Sequence, residues 1–175
     1  MLDIRAMIGP RVESLQEYAP EPLPVLAQRL GRSVDELIKL DANESFVSLP
    51  PRLREKLAVI AGKLDYNRYP DPLATKAVEA YSRYIGVPAD NITAGNGSDE
   101  LISLLINTLL NRGDRLLLCD PDFSMYRFYA ELAEVEAISV PKNGDFTVDT
   151  AGLRREIGER KPKAVIFSNP CSPTG

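Results

Sequence analysis

Residues 91–101, Asn91-Ile92-Thr93-Ala94-Gly95-Asn96-Gly97-Ser98-Asp99-Glu100-Leu101, decide the fold. Asn91–Ala94 reads as a short strand, Gly95-Asn96-Gly97 as a turn, and Ser98 as the start of a strongly apolar helix that runs to Leu110. A strand that hands over to a helix in this way opens a βαβ unit. In an open α/β sheet such junctions receive anionic ligands. The free N–H groups of the first helical turn and the helix dipole favour a phosphate. Gly95 and Gly97 allow close backbone approach, and Ser98 adds a hydroxyl donor. The competing reading is a plain capped helix, in which Ser98 or Asp99 satisfies the same N–H groups. A dinucleotide fingerprint fails because Glu100 stands where its third glycine belongs, and a Walker loop fails because no Gly-Lys-Ser/Thr is present.

Downstream, strands and helices alternate. Arg115–Cys119 reads as a buried strand, Ser124–Ala133 as a helix, Val135–Val140 as a strand, Thr150–Arg160 as a helix and Ala164–Ser168 as a strand. Four strands separated by helices predict parallel βαβ units with right-handed crossovers. Upstream, Pro20, Pro22 and Pro24 punctuate an irregular arm. A short helix follows over Val25–Leu30 and stops at Gly31. Ser33 and Glu36 sit at capping-box spacing, and Leu37–Leu40 reads as a short strand. Pro50-Pro51 marks a helix that ends near Gly62, and Leu73–Ile85 is a second helix, stopped by Gly86.

Composition narrows the chemistry. The 175 residues carry 21 Lys+Arg against 25 Asp+Glu, a net charge of −4, which argues against broad binding to nucleic acid or anionic membrane. The longest nearly uncharged apolar run, Leu101–Leu110, is too short to span a bilayer. No signal peptide is visible in Met1–Pro10. There is no His, so Ser-His-Asp triads, Cys-His pairs and His-ligated zinc are excluded within the chain. Cys119 and Cys171 form no C-x-x-C, and a reducing cytoplasm is expected. No metal site is expected.

Three more segments carry candidate chemistry. Tyr66-Asn67-Arg68-Tyr69-Pro70-Asp71-Pro72 offers Arg and Tyr hydroxyl donors for an anion, although alone it reads as a proline-stiffened loop. Pro121-Asp122-Phe123-Ser124-Met125-Tyr126 follows the second core strand, and a framed aromatic there could stack on a flat ligand. Alone it reads as a helix start, with Asp122 as cap and Phe123 as staple. Asn169-Pro170-Cys171-Ser172-Pro173-Thr174-Gly175 follows the last strand. Three candidate ligand loops therefore share one strand edge.

Together these segments resemble the N-terminal part of a class I/II aminotransferase of fold type I, which uses pyridoxal 5′-phosphate. The nearest pattern is the histidinol-phosphate aminotransferase group, whose motifs match in order and spacing. They are Leu40-Asp41-Ala42-Asn43-Glu44, Asn67-Arg68-Tyr69-Pro70, Gly97-Ser98-Asp99-Glu100-Leu101 and the Asn-Pro-x-x-Pro-Thr-Gly ending.

The resemblance implies an α/β, three-layer fold with a mostly parallel sheet, here an incomplete N-terminal part. It implies an arm over 1–30, a piece of the small domain over 31–64 and the first half of the large cofactor domain over 65–175. Gly97, Ser98 and Asp99 match the cofactor-phosphate cup. Phe123 matches the ring that stacks on the pyridine. Tyr69 matches a tyrosine that reaches the phosphate held by the other subunit of a homodimer. Asn43 and Tyr18 lie in segments that border the substrate in relatives. Ser172 stands where the family usually has an Asn that donates to the cofactor's 3-hydroxyl oxygen, and its hydroxyl is a shorter donor.

The implied activity is transamination between an amino-acid or amino-alcohol phosphate and a 2-oxo acid, in amino-acid biosynthesis. A related decarboxylase or a non-catalytic phosphate-binding fragment are the alternatives. The family's Schiff-base Lys lies beyond residue 175. The seven lysines, Lys39, Lys56, Lys63, Lys76, Lys142, Lys161 and Lys163, are expected to lie away from the matched motifs. A truncated and inactive chain is expected, in which Asn91–Ala94 lacks its sheet neighbours.

Overall fold

The computed structural model describes residues 7–9, 12, 15, 21–40 and 44–175. They divide into two compact units, Glu17–Ala77 and Val78–Gly175, the second joined by the described residues among the first sixteen.

In the unit Glu17–Ala77, helix α1 (Leu23–Leu30) has a proline in its first turn, a position that has no N–H bond to lose. It stops at Gly31, whose φ of 63° a side chain would strain. A single 3₁₀ turn follows over Val34–Glu36, and the capping box is present. The backbone N–H and the hydroxyl of Ser33 both donate to Glu36, at 2.9 and 3.1 Å. Leu37–Leu40 does not form the expected strand. Ile38 and Leu40 are 86% and 83% exposed, and an apolar extended segment becomes a strand only when a neighbour completes its ladder. Helix α2 spans Pro51–Ala61 and has no buried residue.

Helix α3 (Thr75–Ile85) gives way to Gly86 at φ 73°. The expected strand at Asn91–Ala94 is also absent. Ala89–Asn91 is a 3₁₀ turn, and Ile92 has extended dihedrals of −121° and 125° without belonging to a strand. Ile92 takes the extended conformation expected of it, but among the described residues it has no partner strand. Helix α4 follows over Gly97–Leu109.

The sheet among the described residues has three strands, not four: β1 (Arg115–Asp120), β2 (Glu136–Pro141) and β3 (Ala164–Ile166). All pair in parallel in the order β2-β1-β3, with Leu117 opposite both Ile138 and Val165. A central parallel strand is covered on both faces, and Leu116–Cys119 is at most 2% exposed throughout. Helix α5 (Met125–Leu132) connects β1 to β2, and α6 (Thr150–Arg160) connects β2 to β3. The core joins Ile102, Ile106 and Leu110 near α4 to Leu116, Leu118, Ala130 and Val135. Helix α4 buries that stripe and exposes Leu104, Leu105 and Leu109 by half or more.

Ion pairs lock the amino ends of the strands. Glu136 accepts from Arg115 at 3.0 Å and from Arg160 at 2.8 Å. Asp114 accepts from Lys163 at 2.6 Å. The carboxyl ends of β1 and β3 carry two of the three candidate loops, and the remaining one opens α4 and follows no strand among the described residues.

Candidate functional site

The first loop opens α4. Gly97 takes φ 87°, with open space where a side chain would stand. Glu100 folds back and its carboxylate accepts the Asn96 N–H. Among the described residues no hydrogen bond reaches the N–H groups of Gly97, Ser98 or Asp99, and all three residues are exposed. The competing reading puts a side-chain cap at Ser98 or Asp99; the N-cap residue is Asn96, which makes no side-chain cap bond. Three unpaired donors at the positive end of a thirteen-residue helix suit an anionic group.

The second loop leaves β1. Asp122 does not cap α5: no side-chain cap bond exists at its N-terminus. The Asp122 carboxylate instead accepts from the Phe123 N–H at 2.7 Å and from the Ser168 N–H at 2.9 Å, which ties the loop to the end of β3. Phe123 is half-buried, and its ring meets Tyr126 edge-on at 5.7 Å. It borders a cleft of about 430 Å³ that Leu118, Asp120, Pro121, Tyr126 and Arg127 also line. Ser98 and Asn169 lie outside that lining. Asp120 at the cleft pairs with Arg127 at 3.0 Å and accepts the Ser139 hydroxyl.

The third loop leaves β3. The Gly175 N–H donates to the Cys171 carbonyl at 2.6 Å, which closes a turn around the exposed Ser172. The Thr174 hydroxyl is buried with no hydrogen-bond partner among the described residues. The Cys171 thiol donates to the Pro121 carbonyl at 3.7 Å and accepts from Lys142 at 2.9 Å.

That last contact corrects the expectation for the lysines. Lys142 follows β2, and its side chain is 2% exposed, between Cys171 and the Asp122 carboxylate 3.9 Å away. It therefore adjoins one of the matched motifs, the Asn169–Gly175 ending, and the loop that carries Phe123. Sequence reasoning missed it because a lysine after a strand reads as solvated. The usable signal was its place on the same carboxyl edge as the loops that follow β1 and β3. Burial would depress the Lys142 ammonium, but the Cys171 hydrogen bond and the Asp122 charge outweigh that and hold its pKa above the ordinary lysine value. Burial raises the Cys119 thiol, the Asp122 charge raises it further, and Lys142 opposes both.

In the unit Glu17–Ala77, Tyr69 is fully exposed. The hydroxyl of its neighbour Tyr66 donates to Ala61 at 2.7 Å. Asn43 and Tyr18 lie outside the described residues. Among the described residues there is no group of three possible metal ligands and no helix long and apolar enough to cross a membrane.

In kind, the donors at Gly97–Asp99 fit a phosphate ester, the Phe123 ring fits a flat heterocycle, and the exposed Ser172 hydroxyl fits one oxygen on it. The pattern of aminotransferase class I and II matches residues 35–175. Histidinol-phosphate aminotransferase of Clostridium novyi (strain NT) is 44% identical over 138 residues, covering 79% of this chain and 39% of the relative. That of Roseiflexus castenholzii (strain DSM 13941 / HLO8) is 38% identical over 175 residues, covering 98% and 47%. The chain thus spans less than half the length of these curated relatives. Among solved structures, histidinol-phosphate aminotransferase from Sinorhizobium meliloti, in complex with pyridoxal-5′-phosphate, superposes with a TM-score of 0.78 at 23% identity. That match covers 95% of this chain and 43% of the other. At that identity the likeness is one of fold.

Proposed function

The chain belongs to the aminotransferase class I and II family, and from that premise we propose that it serves pyridoxal-phosphate-dependent transamination between an amino-acid or amino-alcohol phosphate and a 2-oxo acid. The observation that carries the proposal is the opening of α4, where the N–H groups of Gly97, Ser98 and Asp99 have no partner among the described residues. The names of the relatives support the substrate class.

In this reading Gly97, Ser98 and Asp99 bind the cofactor phosphate through backbone donors and the helix dipole. Phe123 stacks on the ring and keeps water from one face of it. Ser172 donates a hydrogen bond to the 3-hydroxyl oxygen. When bound, the cofactor supplies the electron sink for carbanion chemistry, and the protein supplies position and electrostatics. Tyr69, fully exposed on its own unit, reaches the phosphate of a second subunit, so the working form is a homodimer. Asn43 and Tyr18 border the substrate. Residues 1–30 act as an arm, 31–64 as a piece of the small domain and 65–175 as the first half of the large domain. The two free thiols agree with a cytoplasmic site of action.

The test compares pyridoxal 5′-phosphate with pyridoxal on the 175-residue chain by equilibrium dialysis. The phosphate ester should bind more tightly, and inorganic phosphate should displace it. Equal binding of the two vitamers, or no displacement, would overturn the assignment of the α4 cup.

A further inference from the structure

The three parallel strands end side by side, and one buried cation sits across their ends. Lys142 follows β2, Asp122 follows the central β1, and Cys171 comes five residues after β3. The side chains of Lys142 and Asp122 are 2% and 3% exposed, and Cys171 is 8% exposed. Asp122 is adjacent in sequence to Phe123, and Cys171 to Ser172. We infer that Lys142 is a positioning residue: its buried ammonium clasps the Phe123 loop to the Ser172 loop and so fixes the relative placement of the two side chains that flank the cofactor ring. The inference rests on the proposed function for the identity of that ring, and on this chain's geometry for the clasp.

The physical argument starts from the cost of burial. An ammonium removed from water is retained only where it is paired and hydrogen-bonded. Here the Cys171 sulfur lies 2.9 Å from the nitrogen, at hydrogen-bonding distance, and the Asp122 carboxylate lies 3.9 Å away as counter-charge. Neither contact lies within one loop, so Lys142 gains both only when the two loops take this arrangement. Asp122 binds the Ser168 N–H in addition, and Tyr126 binds the Ser168 hydroxyl. The Cys171 thiol reaches back to the Pro121 carbonyl. These contacts join the two loops directly. Lys142 adds the third strand and the only positive charge in the set.

The experiment uses the 175-residue chain, its Lys142→Met variant, which keeps the length and removes the charge, and its Lys142→Arg variant. Hydrogen exchange read by mass spectrometry should show residues 121–126 and 168–175 exchanging faster together in Lys142→Met. Exchange at Leu116–Leu118 should be unchanged, and Lys142→Arg should restore protection in part. Equilibrium dialysis should show pyridoxal 5′-phosphate bound about tenfold more weakly, as expected when a buried group loses its partner. Unchanged exchange in both loops, with the fold intact, would overturn the clasp. Faster exchange with unchanged cofactor affinity would overturn its positioning role. If the unsubstituted chain binds no cofactor, the proposed function fails and the positioning role fails with it, while the exchange data still decide the clasp. Should Lys142→Met not fold, Lys142→Gln removes the charge, keeps a polar end and leaves the Cys171–Pro121 contact in place. Faster exchange over 121–126 and 168–175 in that variant supports the clasp, and no change overturns it.

Discussion

The hydroxyl of Tyr126, on the first turn of α5, lies 2.9 Å from the hydroxyl of Ser168, just past β3 and 42 residues away. Between them they connect the loop that follows the central strand to the loop that follows an edge strand. Tyr126→Phe removes this one bond and keeps the ring that packs on Phe123. The expected loss is about 0.5–1.5 kcal/mol, or roughly 2–4 °C in melting temperature per kcal/mol for a chain of this size. Thermal unfolding followed by circular dichroism checks it, and an unchanged midpoint would show that water replaces the bond at no cost.

Gly97→Ala separates strain from crowding. No atom lies within 4 Å of the added methyl, yet φ is 87°. The variant should lose about 1–2 kcal/mol through the left-handed backbone alone. It should also bind inorganic phosphate less well, because relaxation of φ turns the donors at the start of α4. Urea unfolding and a phosphate titration measure the two effects. If stability falls while phosphate binding stays the same, the anion does not use this helix end.

The acid limb of stability has a definite origin at the amino ends of the strands. Hydrogen bonds from Arg115 and then Arg160 hold the Glu136 carboxyl below its ordinary pKa, and Lys163 does the same for Asp114. A carboxyl depressed in the folded state stabilises fully above its unfolded pKa, about 4, and that contribution disappears as pH falls through the lower folded value. The melting temperature should therefore be level above about pH 5 and should decline below it, more gently in Glu136→Gln. Glu136 is exposed and Asp114 partly so, so salt should reduce the effect.

The 175-residue chain should not transaminate by itself. Lys142 is committed to Cys171 and Asp122, and Lys163 to Asp114. Lys56, Lys63, Lys76 and Lys161 are exposed. In the unit Val78–Gly175, Lys142 and Lys163 are paired and Lys161 ends α6, so none of these three is placed as a base at the proposed cofactor site, and such a base is worth about 10²–10⁴-fold in rate. Steady cofactor-dependent formation of glutamate from 2-oxoglutarate, by a preparation of verified mass, would overturn this.

Leu104, Leu105 and Leu109 are each at least half exposed on α4. The isolated chain should associate through such apolar surface, and Leu105→Glu should reduce the association seen by sedimentation velocity. A monomer at all concentrations would show that the exposed leucines are tolerated.

The elements with local punctuation were legible in the sequence. Gly31 and Gly86 end their helices as read, and Pro51 opens α2. The run Leu116–Cys119 announced a strand covered on both faces. Asn91–Ala94 and Leu37–Leu40 were misread for one reason: a strand is completed by a neighbour, and neighbours are set by sheet order, which no local pattern encodes. Gly97, Ser98 and Asp99 were legible because the glycine turn and the helix start are adjacent in the chain. Lys142 was not, because its burial arises only when three strand ends from distant parts of the sequence come together.

Placing one cation over three strand ends couples the histories of positions far apart in the chain. A lineage that replaces Lys142 with a neutral residue leaves the buried Asp122 carboxylate without its counter-charge, held by the Phe123 and Ser168 N–H groups alone, and the next tolerated change is loss of that acid. Positions 122 and 142, and with them 171, should therefore covary among family members, with acid present where the base is present. Aligned sequences that keep Asp at 122 while varying freely at 142 would break that pattern.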